Sequence, residues 1–312
     1  MEIIRELVNI EKKYSYPCVA LGTFDGVHKG HQIVIESAIK KAIEKKGTSV
    51  VFTFETHPID FILSNKTINL ITTNDEKIYL LKKSGLDMII FEKFTEEFKN
   101  LTPDEFIKNI LVEKLNVKEI FIGFNYTFGK NGKGTAKYLE SQSKKYNFNV
   151  TIINPKLIDD VVVSSTLIRG KIKMGKIENL KKYLGYDYIL SGKVIHGKKL
   201  GRLLGFPTAN INIEQKSYPP HGVYGVKVII GDENKEYVGI LNMGINPTLK
   251  FGEHSIEVHI FDFNKEIYGI KIYVSIIKFI RNEKKFNSKE ELIRQMTEDV
   301  NLWRKLNNLE GI

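Results

Sequence analysis

The hydrophobic positions of this chain follow one rhythm up to about residue 186 and another after it. In the first part, short apolar or β-branched runs at Pro17–Leu21, Thr48–Phe54, 87–91, Glu119–Gly123 and 149–154 predict strands. Stretches of helical period lie between them. Over 32–45, apolar residues stand at positions 35, 38, 39, 42 and 43. Further helices are predicted over 75–83, 103–115 and 136–145, with two short ones near 165–174 and 176–184. Thr102 followed by Pro103 reads as an N-cap and a first helical residue. Strands alternating with helices predict an α/β domain with a doubly wound parallel sheet covered on both faces.

The second part brings strand candidates in close succession: 189–194, Ala209–Ile213, 223–229, 236–243, 256–263 and 272–280. Turn residues separate them, among them Gly231 and Asp232, Asn246 and Pro247, Asn264 and Lys265. This spacing predicts a small antiparallel barrel or sandwich. A closing helix follows, with Ser288 and Glu291 in a capping-box pattern. Leu292, Met296, Val300 and Trp303 mark one apolar face, predicted to lie against the strands. No repeat, low-complexity segment or long linker intervenes, so two abutting domains are expected, 1–185 and 186–312, with Gly185 near the joint.

Composition narrows the class. A length of 312 residues suits two domains at roughly 150 residues each. With 42% hydrophobic and 27% charged residues, disorder is excluded as the main state. The single cysteine, Cys18, excludes a disulfide scaffold and a cysteine-built metal site, and it fits a reducing compartment. The N-terminal stretch mixes Glu2, Arg5 and Glu6 with its apolar residues, unlike a secretion signal or a membrane span. A soluble cytoplasmic protein is expected, with no membrane partner. The net charge of +10 raises nucleic acid as a partner. The lysine pairs at 12–13, 40–41, 144–145, 181–182 and 284–285 are spread along the chain, however, with no long basic run. They predict a solvated surface, or attraction of a small polyanion, rather than a polynucleotide site.

Candidate chemistry begins after the first strand, in Gly22-Thr23-Phe24-Asp25-Gly26-Val27-His28-Lys29-Gly30-His31. A glycine-flanked turn from strand to helix can aim backbone N–H groups and a helix N-terminus at phosphate. His28 and His31, three apart, share one helical face and can donate hydrogen bonds to developing phosphate charge. A zinc site would need a third ligand and a different spacing. Neither a GxxxxGK[ST] loop nor a GxGxxG fingerprint occurs anywhere, so ATP bound by the first half must use this turn. Later, Ser164, Ser165 and Thr166 open a helix whose Arg169 is a permanent, bidentate phosphate binder. In the second half, Gly201-Arg202-Leu203-Leu204-Gly205-Phe206-Pro207-Thr208-Ala209-Asn210 combines a flexible flap with Thr208 and Asn210 on one strand face. A hydroxyl and an amide oxygen are hard ligands suited to Mg²⁺.

The histidine-bearing turn resembles that of the nucleotidylyltransferase superfamily. Phe124-Asn125-Tyr126-Thr127-Phe128-Gly129, Ser164-Ser165-Thr166-Leu167-Ile168-Arg169 and Thr53-Phe54-Glu55-Thr56-His57-Pro58 resemble segments of bacterial FAD synthetases. Thr56 stands where those proteins commonly carry proline, and Asn125 where many carry aspartate. The flap, His221-Gly222-Val223-Tyr224-Gly225, the segment from Asn242 to Thr248, and Glu257-Val258-His259-Ile260-Phe261 together resemble riboflavin kinase. The order is that of the bacterial bifunctional riboflavin kinase/FAD synthetase family.

That resemblance implies a nucleotidylyltransferase-like domain followed by a six-stranded antiparallel barrel with a C-terminal helix. It implies two reactions, riboflavin kinase and FMN adenylyltransferase, with riboflavin, FMN and ATP as partners, Mg²⁺ as cofactor and no nucleic acid. In the first domain, Gly22, Phe24, Asp25, Gly26, His28, Gly30, His31, Ser164, Ser165, Thr166 and Arg169 would bind ATP, with His28, His31 and Arg169 acting in catalysis. Asn125 and His57 would contact the flavin. In the second domain, Gly201, Gly205, Pro207, Thr208 and Asn210 would bind ATP. Thr208 and Asn210 would also ligate the metal, and Glu257 would be the general base. Two rival expectations are an RNA-binding protein and a flavin sensor that has lost its chemistry. The presence of His28, His31, Arg169, Thr208, Asn210 and Glu257 together argues against the sensor.

Overall fold

The computed structural model describes residues 1–312 apart from 11–13, 63–67, 198–199, 215, 234, 246–253 and 309–312. The chain forms two compact units, Met1–Leu167 and Ile168–Ile312.

The first unit is built on six strands: β1 (Glu2–Arg5), β2 (Pro17–Leu21), β3 (Thr48–Phe54), β4 (Met88–Glu92), β5 (Glu119–Gly123) and β6 (Asn149–Ile153). They lie in the order β1-β4-β3-β2-β5-β6, and every pairing is parallel. The apolar runs are continuous because both faces are buried. Val19 and Leu21 of β2 join one core with Phe52, Ile90 and Ile122. Cys18 and Ala20 join the other, against Val34, Ile35 and Ala38 of α1 (Lys29–Lys45). Each such buried aliphatic side chain contributes about 1.5–3 kcal/mol. From β2 the chain goes to β3 and β4 on one side, then returns to β5 on the other. The carboxyl end of β2 is therefore the switch point, the place where open α/β sheets bind ligands.

An edge strand and a π-helix are among the elements that differ from the sequence expectation. β1 was not signalled, because only Ile4 of its four residues is buried and charged residues flank it, as suits an edge strand. The helix expected over 103–115 starts with Thr102 in a capping box, but after Pro103–Glu105 it widens into a π-helix, Phe106–Lys114. Its end is marked by a bond from the Leu115 N–H to the Ile110 carbonyl at 3.0 Å. Further helices in this stretch of chain are α2 (Asn74–Lys82), α3 (Ala136–Tyr146) and α4 (Ser165–Lys173).

The second unit is a closed barrel of β7 (Tyr188–Ile195), β8 (Ala209–Ile213), β9 (Gly222–Ile230), β10 (Glu236–Ile245), β11 (His254–Ile260) and β12 (Lys271–Arg281). The cyclic order is β7-β8-β11-β10-β9-β12, all antiparallel. Closure selects the barrel over the sandwich. Short helical segments at Ile177–Asn179 and Leu180–Leu184 pack on β12 and β7, burying Ile177, Leu180 and Leu184. The closing helix, α5 (Lys289–Leu306), buries Trp303 over Gly225, where any side chain would overlap the indole. Its cap is a shifted box. Ser288 Oγ accepts the Glu291 N–H at 3.1 Å, but the Glu291 carboxylate reaches the N–H of Asn287, not that of Ser288. No helix among the described residues is long and apolar enough to cross a membrane.

Candidate active sites

In the first unit, the turn between β2 and α1 is strained and pinned. Phe24 and Val27 adopt φ of 48° and 35°, uncommon for any side chain and most costly for a β-branched one. Both side chains are buried in the core beneath, which holds them there. Gly26 has φ 84°, and a Cβ would lie 2.9 Å from Ile71. The Asp25 carboxylate accepts the N–H groups of Ile71 (2.8 Å) and Thr72 (3.2 Å), while Thr72 Oγ1 accepts that of Gly26 at 2.9 Å. Asp25 thus ties the turn to the segment entering α2. Gly22 lies under the Phe24 ring, and Gly30 against the His28 ring.

His28 is the N-cap of α1, its Nδ1 accepting the His31 N–H at 3.3 Å. The two imidazoles stack with centroids 3.5 Å apart. His31 Nδ1 is shielded from solvent and has no partner among the described residues. Burial, then the neighbouring His28 and Lys77, push the His31 imidazole well below its ordinary value, so the ring is neutral at pH 7. A neutral ring still carries one N–H to donate. Ser165 Oγ donates to the Asp25 carbonyl at 2.9 Å, and Ser164 Oγ accepts the Leu167 N–H at 3.3 Å, so both serines fasten the start of α4 near the turn. Thr166 is exposed, and half-buried Arg169 follows one turn after Ser165 on α4.

His57 Nδ1 accepts the Ile59 N–H at 3.3 Å, opening a short helix, Pro58–Ile62. His57 shares a small cavity with Thr23, Asp25, Asn74 and Lys77. Asn125 does not line it; it stands exposed just past β5, next to exposed Phe124. Sequence reasoning missed Lys77. Its Nζ is buried and donates to the Thr23 carbonyl at 2.9 Å and to Thr53 Oγ1 at 3.4 Å.

In the second unit, neighbouring strands converge their polar side chains. Glu257 on β11 pairs across the ladder with Asn210 on β8 and Asn242 on β10. Thr208 Oγ1 donates to Glu257 Oε2 at 3.2 Å. All four line a cavity of about 380 Å³, walled also by Met296 and Val300 of α5. A second cavity, about 460 Å³, is lined by Arg202, Pro207, Lys265 and Tyr268, and Thr208 lines both. Pro207 is held by a 2.8 Å hydrogen bond between its carbonyl and His259 Nδ1. Gly201 turns so tightly that a Cβ would overlap the Phe206 carbonyl, while Gly205, at φ 86°, is open. The expected single apolar face of α5 divides its work: Trp303 packs on the barrel, whereas Leu292 and Met296 wall the cavity. Arg281, also missed, lines this cavity and grips buried Asp299 with two nitrogens, at 3.0 and 2.8 Å. Asn246, Pro247 and Thr248 lie outside the described residues.

A glycine-flanked turn at a switch point, and a carboxylate bonded to the hydroxyl that lines two cavities, are the arrangement expected of a nucleotide-using transferase with two sites. Comparison with known proteins makes this specific. The FAD synthetase family model matches residues 10–167, and the riboflavin kinase model residues 184–307. A bifunctional riboflavin kinase/FMN adenylyltransferase of Buchnera aphidicola subsp. Schizaphis graminum is 39% identical over 312 residues, covering 99% of this chain and 100% of its own. Another, from Bacillus subtilis, is 39% identical over 296 residues, covering 93% and 92%. The crystal structure of a protein from Streptococcus pneumoniae, described as a macrolide-efflux protein, matches with a TM-score of 0.83 at 33% identity over 97% of this chain and 99% of that one. The chain belongs to the bifunctional riboflavin kinase/FMN adenylyltransferase family, with the FAD synthetase domain first and the riboflavin kinase domain second.

Proposed function

We propose that the barrel transfers the γ-phosphoryl group of ATP to the ribityl 5′-hydroxyl of riboflavin, giving FMN, with ADP as the leaving group. Glu257 accepts the hydroxyl proton, leaving the alkoxide oxygen to attack phosphorus. The observation that carries this reading is the position of Thr208, in the wall common to two cavities and hydrogen-bonded to Glu257. One cavity, walled by apolar residues of α5, suits the flavin; the other, with Arg202 and Lys265, suits the phosphates. The Thr208 hydroxyl and Asn210 amide oxygen fit Mg²⁺, being hard donors, and Thr208 also borders the cavity assigned to the phosphates. When bound, the ion supplies neutralisation of phosphate charge. Gly201 and Gly205 let the flap lie close to the nucleotide.

In the first domain, the FMN phosphate attacks the α-phosphorus of a second ATP; FAD forms and pyrophosphate leaves. The nucleophile is already an anion, so no base is required. His28, His31 and Arg169 stabilise charge on the ATP phosphates, assisted by the turn from Gly22 to Gly30 and by Ser164, Ser165 and Thr166. Asp25 acts by holding the turn, and His57 and Asn125 contact the flavin. We assign the adenylyltransferase to 1–185 and the kinase to 186–312, in the cytoplasm, with no nucleic-acid or membrane partner. The scattered lysine pairs support that assignment. Incubation with riboflavin and Mg-ATP, followed by chromatographic separation of flavins, tests the reading. FMN followed by FAD is expected, and unchanged riboflavin would overturn it.

A further inference from the structure

Resting on the adenylyl-transfer reading above, we propose that Lys77 is a positioning residue of that site: its buried ammonium group fixes the Thr23 carbonyl of the 22–26 turn and so aims the Phe24 amide at the nucleotide phosphates. Two donors converge on one oxygen. Lys77 Nζ and Thr53 Oγ1 reach the Thr23 carbonyl at 2.9 and 3.0 Å, and Lys77 also reaches Thr53 Oγ1 at 3.4 Å. In a planar trans peptide the carbonyl and the following N–H point opposite ways, so holding the Thr23 carbonyl inward turns the Phe24 N–H outward. The other fixed amides of the turn look elsewhere. Gly22 donates to the Phe52 carbonyl, Gly26 to Thr72 Oγ1 and Val27 to the Phe24 carbonyl. The Phe24 N–H enters none of these bonds.

Packing alone does not explain a lysine here. Lys77 is 5% exposed on α2, with its ammonium 5.7 Å from the Phe91 ring. An apolar side chain of the same length would fill that space without the cost of removing a charge from water. The charged and titratable groups facing it are Asp25 on the turn, His31 on α1, and His57 and Glu55 across the small cavity, with Glu76 beside it on α2. Burial pushes the Lys77 ammonium down to about 8, against the pull of Asp25. Its charge is therefore present at neutral pH and lost under mildly alkaline conditions.

The test uses the full chain, supplied FMN and Mg-ATP, and measures FAD formation, with riboflavin phosphorylation and thermal unfolding measured in parallel. Wild-type protein that makes FMN but no FAD would refute the reading of the site, not the role of Lys77. Given wild-type FAD formation, Lys77→Met is expected to lower its kcat by about tenfold or more, as misplacement of a phosphate cradle does, with unfolding unchanged or shifted upward and the kinase rate intact. Lys77→Arg keeps a permanent cation. It is expected to restore part of the rate and to remove the alkaline decline of wild-type FAD formation near pH 8. A Lys77→Met protein with wild-type kcat, or wild-type and Lys77→Arg proteins sharing one alkaline limb, would overturn the proposal. The second comparison stands even where the methionine variant does not fold.

Discussion

As proposed, the two sites meet phosphate by opposite means. In the barrel, the proposed groups are side chains: Asn210, Asn242 and Glu257 are set by ladder register, and Thr208, just before β8, donates to the Glu257 carboxylate. In the parallel sheet, the proposed groups are backbone amides, the two imidazoles and Arg169. A strained turn, stacked imidazoles and a buried lysine surround the switch point, and the turn's own carboxylate, Asp25, accepts backbone N–H groups. The difference follows from the nucleophiles. A ribityl hydroxyl must lose a proton as it attacks, whereas a phosphate arrives as an anion and needs only charge stabilisation.

If that contrast is right, removing a proton acceptor should cripple one reaction and spare the other. Glu257→Gln keeps the size and polarity of the side chain, and is expected to lower riboflavin phosphorylation by about 10²–10⁴-fold while FAD formation from supplied FMN persists. Flavin turnover at saturating Mg-ATP checks it; near-wild-type phosphorylation would remove Glu257 from the role of base.

The reverse experiment has a smaller expected effect. His31→Ala should lower FAD formation by about a hundredfold, the loss of one donor to developing phosphate charge, with FMN formation retained. His28 carries a second duty as N-cap, so His28→Ala should also lower stability by about 1 kcal/mol, a cost that His28→Asn avoids. Equal loss of both activities in either variant would mean that the sites are not separate.

The smallest effect is thermodynamic. The folded His31 imidazole lies well below its ordinary value near 6.5. Between the folded and unfolded values, the unfolded chain binds more protons, so stability is full above about pH 6.5 and falls by up to about 1.4 kcal/mol per unit as pH drops below it. Wild-type and His31→Gln unfolding between pH 7 and 5.5 should diverge by that slope. Parallel curves would mean that the ring is not held neutral.

Much of this architecture can be read from local sequence. Continuous apolar strands such as Pro17–Leu21, helical spacing through α1 and the turn carrying His28 and His31 are short-range signals, and the fold agrees with them. What escaped depends on distant partners. Lys77 is an ordinary helical lysine until α2 lies under the turn, more than fifty residues earlier in the chain. Arg281 reads as the end of a strand until Asp299 arrives from α5. β1 has too few buried positions to show a period. Asp25 adds a bond pattern that local sequence does not show: its carboxylate braces the turn by accepting the N–H groups of Ile71 and Thr72.

The shared wall at Thr208 has a kinetic consequence. Because, among the described residues, each of the two barrel cavities has its own lining apart from that residue, flavin and nucleotide placed as proposed need not take turns in one space. Neither has to depart before the other is admitted, and no phosphorylated form of the protein is required to carry the group between visits. Phosphorylation by this barrel should therefore proceed through a ternary complex. Double-reciprocal plots at several fixed riboflavin concentrations should converge on a common point, and a parallel family of lines would contradict the geometry of that wall.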